Sequence, residues 1–262
     1  MMLRRLTSSA YNRGVGAPRD NDTPRGRTTT GAAARRAFEL AFFAGALVSM
    51  VWNDVEPGLI GTVSKLVPMG LLIGHLVLRL RAVDVDRAMG VPLLAGLVAS
   101  AVGDVVIERL FVGGIAAFLV AHVAYLVAMG RPRGTAAPHV IAALPALAVG
   151  GTMAWVLVGG SRLPDPLLIP VTVYMTVISM MLARAGGRAF VDVRTSGSRV
   201  FLAGAALFVA SDALIALSRW VFPLPHARLA ILATYFLAQR LLVAGVEPTI
   251  HEGPGKAKAP GR

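Results

Sequence analysis

The stretch VFLAGAALFVASDALIAL, residues 200–217, carries a single charged side chain, Asp212, in an otherwise apolar run. At 1.5 Å per residue, a helix of this length reaches across most of a ~30 Å hydrocarbon core. An ionised carboxylate at that depth costs at least ~2.5–3.5 kcal/mol on insertion scales, so a chain keeps one when it is paired, protonated or used. LLAGLVASAVGDVVI, residues 93–107, repeats the pattern around Asp104. Each aspartate follows a small residue, Gly103 or Ser211, as expected of a polar site between closely packed helices.

Outward from these two segments the same texture continues. The chain has 262 residues, 55% of them hydrophobic and only 15% charged, where a soluble domain carries about 25% charge. Mean hydropathy is +0.67. Apolar runs predict eight spans, at 37–53, 58–80, 91–107, 111–129, 138–159, 165–184, 199–217 and 226–246. Helix breakers stand between them: Pro57-Gly58, Pro92 after Gly90, the Arg131-Pro132-Arg133-Gly134 turn, Pro164 with Pro166, and Pro223 with Pro225. No segment alternates apolar and polar residues for long enough to be a barrel strand. The expected fold is all-α, a polytopic membrane protein of eight transmembrane helices.

A net charge of +12 reads as a nucleic-acid signal until the basic residues are placed. Twenty of the 26 Lys and Arg residues fall in the N-terminal arm, the C-terminal tail and the loops after the second, fourth and sixth spans. Four, Arg109, Arg162, Arg219 and Arg228, fall on the other side, near Asp54, Glu56, Glu108 and Asp165. The positive-inside rule therefore places both termini in the cytoplasm, which an even number of spans satisfies. The implied partner is the lipid bilayer and not nucleic acid, and the expected location is multi-pass in a bacterial inner (plasma) membrane.

Three regions follow: a basic N-terminal arm over 1–36, an eight-helix membrane domain over 37–246, and a short tail over 247–262. Both ends read as disordered, because few large apolar residues are available to bury. No apolar core with a cleavage site precedes the first span, so no cleaved signal peptide is expected. The arm is an orientation determinant, with anionic headgroups as an alternative target. With no cysteine, thiol and disulfide chemistry is excluded. The five histidines are scattered without metal-ligand spacing, so neither a metal nor another cofactor is expected.

The predicted topology groups the intramembrane polar residues by depth. Asp104, Asp212 and Lys65 fall toward the outer ends of their spans; His122, Tyr174, Tyr235 and Gln239 fall near the middle. The inner halves read as nearly all apolar, and one polar cavity opening outward accounts for the bias. Asp212, flanked by apolar residues on both sides, is expected to be the more buried aspartate. Plainer roles stand beside these. Asp104 can snorkel to the interface, and Lys65 can be the counter-ion of an aspartate instead of a substrate ligand. His122 can be a neutral ring bonded to a carbonyl, and Tyr125, Tyr174 and Tyr235 can be interhelical hydrogen-bond donors. Gly96, Gly103, Gly114, Gly204 and Ala205 are expected to allow close helix packing.

In order, the chain shows SKLVP (64–68), GDVVI (103–107), FVGGIAAFLVAHVAY (111–125), YMTVISMMLARA (174–185), GAALFVASDAL (204–214) and TYFLAQRLL (234–242). This ordered set resembles the YhhN-type lysoplasmalogenase family over roughly residues 37–246. Leu66 and Val67 stand between Lys65 and Pro68, where the family commonly has proline directly after the lysine. The resemblance implies a membrane-embedded hydrolase that cleaves the vinyl-ether bond of lysoplasmalogens to a fatty aldehyde and a glycerophospho-base. It implies that Asp104 and Asp212 are the catalytic pair, and that Lys65, His122, Tyr125, Tyr174, Tyr235 and Gln239 line the substrate pocket.

The chemistry suits these residues. Enol-ether hydrolysis begins with proton transfer to the β-carbon; water then adds to the oxocarbenium ion and the hemiacetal collapses. One carboxyl group must hold a proton while another is ionised, as in glycosidases, which face a similar cation. Burial and a second nearby carboxylate both favour the protonated form. Asp212 is expected to be the acid and Asp104 to orient water or stabilise the cation, with the reverse assignment also open. The competing expectation is a proton-coupled transporter of a lipid or small amphiphile, since membrane carboxylates also relay protons. Against it, no inverted repeat is visible and no span is broken at its midpoint. A scaffolding protein would leave the two aspartates without a reason.

Overall fold

The computed structural model describes residues 25–247 apart from 57, 83, 131–133 and 193–195, with side chains described from residue 31. Two units divide the chain, residues 1–37 and 38–262. In the first, residues 25–37 are helical. The second contains the membrane bundle.

Among the described residues, eight helical stretches are long and apolar enough to cross a membrane, running from Gly31–Val55 to Ala227–Ala244. In chain order the helices are α1 (Arg25–Val55), α2 (Leu59–Ser64), α3 (Leu66–Arg81), α4 (Arg87–Val106), α5 (Phe111–Ala128), α6 (Ala136–Ala154), α7 (Asp165–Val191), α8 (Ser196–Trp220) and α9 (Ala227–Ala244). A π-helical turn, Trp155–Gly159, extends α6. The all-helical, eight-span expectation holds, and span boundaries agree to a few residues at most ends.

Two local features differ from the expectation. The first helix begins at Arg25, inside the arm expected to be disordered; Ala32–Ala34 with Arg35 and Arg36 are strong helix formers, whereas Gly26, Thr28–Thr30 and Gly31 before them are weak ones. Residues 1–24 of that arm, and residues 248–262 of the tail, lie outside the described residues. The second span is also broken, into α2 and α3, at Lys65. Pro68 is the cause: it has no N–H, and its ring clashes with the carbonyl four residues back, that of Ser64. The break lies six residues into the span, not at its midpoint.

α4 packs on α5, α6 on α7 and α8 on α9. Lipid tails give helices no hydrophobic reason to associate, so close packing and polar contacts must hold the bundle. A Cβ at Gly96 would fall 2.2 Å from the Tyr125 ring, so only glycine lets α5 seat that tyrosine against α4. At Gly204 a Cβ would lie 2.9 Å from the Leu242 nitrogen, which sets the approach of α8 to α9. Asn53 clamps α1 to α2, its Nδ2 donating to the Ser49 carbonyl at 2.7 Å and the Gly61 carbonyl at 2.8 Å. Arg184 and Arg188 reach from α7 to the carbonyls of Gly130 and Met129 at the end of α5. Cations there complement the unpaired carbonyls of a helix C-terminus.

The span ends expected to face the cytoplasm are not as apolar as the sequence suggests. Arg240 of α9 pairs with Glu39 of α1 and lies 3.9 Å from Glu247. His75 of α3 sits 2.6 Å from the other Glu247 oxygen and stacks on Phe38 with ring centroids 4.0 Å apart. This ionic cluster gathers the middle of α1 with the C-terminal parts of α3 and α9. It occupies the end of the bundle opposite Lys65, Asp104 and Asp212.

Candidate active site

The site is built where the end of α4, the start of α5, the C-terminal half of α8 and the start of α9 converge, with Lys65 supplied by the α2–α3 break. Asp104 Oδ2 accepts a hydrogen bond from the Tyr235 hydroxyl at 2.6 Å. Asp212 Oδ2 accepts one from the Tyr174 hydroxyl, also at 2.6 Å. Among the described residues neither carboxylate has a cation within salt-bridge distance. Each is held by a neutral donor, which orients it without fixing it as an anion.

Asp104 and Asp212 line one cavity of about 820 Å³, together with Lys65, Glu108, Arg219 and Arg228. Asp212 also lines a second cavity of about 740 Å³, walled almost entirely by apolar side chains of α5, α6, α7 and α8, where Tyr174 reaches it. Asp212 therefore stands at the junction of a charged chamber and an apolar one. This placement reverses the expected burial: Asp104 is 4% exposed, whereas Asp212 is half-buried. Flanking sequence reports what surrounds a residue along its helix, not whether a cavity opens beside it.

Lys65 does not pair with an aspartate. Its Nζ donates to Glu108 Oε1 at 2.7 Å. Burial pushes the Glu108 carboxyl up, but the Lys65 bond and charge, with Arg228 and Arg219 beyond, outweigh it and hold the group below its ordinary value of 4.5. Glu108 is therefore an anion that neutralises Lys65, leaving Arg219 and Arg228 as the net positive charge of the chamber. Arg219 is set over the Phe111 ring at 4.2 Å, a cation–π contact that fixes its position at the wall. Glu108 and Arg219 were missed as site residues. The available signal was that Glu108 lies four residues beyond Asp104, on the same face of one helical turn.

The remaining expected pocket residues divide. Tyr174 lines the apolar cavity and Tyr235 the charged one. His122, Tyr125 and Gln239 are fully buried and line neither. The Tyr125 hydroxyl donates to Gln239 Oε1 at 2.8 Å and lies 3.1 Å from Ser100 Oγ, which therefore supplies the proton to it. His122 Nδ1 lies 2.6 Å from the Phe118 carbonyl, an acceptor, so Nδ1 carries the proton. These three form a polar layer behind Phe118, Phe208 and Tyr235, in agreement with the plainer reading of His122. Among the described residues no group of His, Asp and Glu could hold a metal ion.

Residues 60–246 match the YhhN family. Lysoplasmalogenase TMEM86B of Sus scrofa is 34% identical over 208 residues, covering 78% of this chain and 84% of that protein. A lysoplasmalogenase of Mycobacterium bovis is 30% identical over 226 residues, covering 77% and 84%. Lysoplasmalogenase TMEM86A of Homo sapiens is 32% identical over 174 residues, covering 61% and 68%. No solved structure matches.

Proposed function

This chain belongs to the YhhN family, and from that premise and the paired cavities we propose that it hydrolyses the vinyl-ether bond of lysoplasmalogens. The observation that carries the reading is Asp212 at the junction of the two cavities, with Asp104 facing the charged one. A lysoplasmalogen has the same division: a phosphate-bearing glycerol, one hydrocarbon chain, and the vinyl ether between them. The phosphate lies toward Arg219 and Arg228, and the chain in the apolar cavity. The enol ether then falls beside the carboxyl groups.

Asp212, the carboxyl group that reaches both chambers, gives a proton to the β-carbon of the vinyl ether. The C=C π electrons form the new C–H bond and an oxocarbenium ion develops at the ether oxygen. Asp104, ionised and oriented by Tyr235, accepts a proton from water as it adds to that cation. The hemiacetal collapses to a fatty aldehyde and the free sn-1 hydroxyl, its own hydroxyl proton passing to the leaving oxygen, and the proton held by Asp104 returns to Asp212 through the cavity both line, which closes the balance without a cofactor. Apolar walls of Phe118 and Phe208 limit bulk water, which strengthens each charge interaction inside. With the termini in the cytoplasm, the charged chamber opens toward the outer leaflet.

Purified protein in detergent, given a 1-alkenyl-lysophospholipid, is expected to release fatty aldehyde, and to release no fatty acid from the matched 1-acyl lipid. Well-folded protein that releases no aldehyde across a range of pH overturns the reading.

A further inference from the structure

The apolar cavity has a neighbour on the outer face of the bundle. It shares Gly150, Met175 and Ser179 with a third cavity of about 830 Å³ lying between α6 and α7. That third space is a furrow on the outer face of the bundle: Leu147, Gly151, Thr172, Thr176 and Met180 along it are exposed. α6 and α7 are also the least buried of the candidate spans, with 17% of each apolar window inside the protein.

We propose that the furrow between α6 and α7 is the lateral portal and bed for the substrate's single hydrocarbon chain, and that Gly151 keeps it open. The inference rests on the vinyl-ether reading above and adds where the chain enters and what limits its length. Three observations carry it. The three cavities are successive neighbours: Asp212 lines both the charged and the apolar one, and Gly150, Met175 and Ser179 line both the apolar one and the furrow on the outer face. Along α6 the furrow extends from Ala143 to Ala154, which at 1.5 Å per residue is about 16 Å. That is close to half of a ~30 Å hydrocarbon core, the reach of one lipid chain.

The two adjacent glycines separate packing from passage. A Cβ at Gly150 would fall 2.4 Å from Ser179 Oγ, so Gly150 is needed for α6 to approach α7. A Cβ at Gly151 would meet nothing within 4 Å. Glycine inside a helix is less favourable than alanine, and no neighbouring atom demands it there. One furrow hydroxyl is turned back on its own helix: Thr176 Oγ1 donates to the Thr172 carbonyl at 2.8 Å.

The test has a kinetic arm and a binding arm. Gly151→Trp projects an indole into the furrow from a position where a Cβ meets nothing within 4 Å. It is expected to lower kcat/KM for a long-chain 1-alkenyl-lysophospholipid by about tenfold or more while leaving a short-chain analogue within about twofold, with Gly151→Ala neutral on both. Equal loss on both chain lengths, or none on the long one, overturns the portal. The binding arm uses a 1-O-alkyl-lysophospholipid with a diazirine at its chain end, which contains no vinyl ether and does not depend on turnover. Labelling is expected within 143–154 or 172–183, displaced by excess unlabelled lysolipid and lost in Gly151→Trp. Labelling elsewhere, labelling that excess lysolipid does not displace (bulk lipid), or a furrow covered by a second copy of the chain overturns it. If wild-type protein releases no aldehyde but is labelled as expected, the vinyl-ether reading fails and the chain portal stands.

Discussion

At one end of the bundle Glu39 and Glu247 lie against Arg240 and His75; at the other Asp104 and Asp212 lie against the hydroxyls of Tyr235 and Tyr174. Both arrangements place carboxylates among spans, but their partners differ in kind. Cations at the first end neutralise the carboxylates where they sit. Burial pushes the Glu247 carboxyl up, yet the His75 bond and the charges of Arg240, His75 and Arg79 outweigh it, holding the group below 4.5. At the second end the donors are neutral and cavities open alongside. A carboxylate closed in by cations joins helices; one held by a phenol beside an open chamber remains able to give or take a proton.

The comparison sharpens most if the two ends are mutated in parallel. Asp104→Asn and Asp212→Asn keep a side-chain oxygen for the tyrosine and remove the acid–base function. Each is expected to lower kcat for aldehyde release by roughly 10²–10⁴-fold. Because the two act as a unit, the double variant should be little slower than the worse single one, and fully multiplicative losses would break the pairing.

Glu39→Gln should do the opposite. Removing the Glu39 charge leaves Arg240 with Glu247 alone, 3.9 Å away, at a cost of about 1.5–3 kcal/mol, the worth of a hydrogen bond to a charged group. Thermal or denaturant unfolding in detergent would show it, while kcat of the folded fraction stays within about twofold. A large kcat loss with normal stability would move the chemistry to the wrong end.

Tyr174→Phe and Tyr235→Phe each remove one hydrogen bond to a carboxyl group, worth ~1.5–3 kcal/mol when that group is charged. The expected reading is a roughly 10–100-fold lower kcat with a smaller change in melting temperature. The smallest effect belongs to Lys65–Glu108. Glu108 is held below its ordinary 4.5 in the folded protein, so its contribution to stability is present above that value and is lost as pH falls through the lowered one. With Glu108 36% exposed, Glu108→Gln should remove at most about 1 kcal/mol above that window and flatten the acid side of a stability–pH curve.

Much of this was legible in the chain because a bilayer imposes length and polarity rules that one residue can violate visibly. Eight apolar runs gave eight spans, and Asp104 and Asp212 stood out because nothing near them in sequence explains a charge. What remained hidden depends on contacts distant in sequence. Glu39 and Arg240 are 201 residues apart, and each alone reads as a charge near a span end. Lys65 could be assigned a carboxylate partner but not the right one, since Glu108 was read as a loop acid outside the membrane. The Ser64–Leu66 break was obscured because Pro68 lies inside an apolar run whose overall length still suits a single span. His122, Tyr125 and Gln239 have the depth of the pocket but not its wall, a distinction that only the packing of Phe118 and Phe208 makes.

The most direct test of the central claim follows the proton. Wild-type protein is incubated with a 1-alkenyl-lysophospholipid in D2O, and the released aldehyde is reduced at once to the alcohol for mass analysis. Protonation of the vinyl-ether β-carbon predicts one deuterium on the carbon next to the former carbonyl, with product all but absent from Asp104→Asn and Asp212→Asn and abundant from Glu39→Gln. Aldehyde lacking that deuterium, or undiminished release by both aspartate variants, would contradict it.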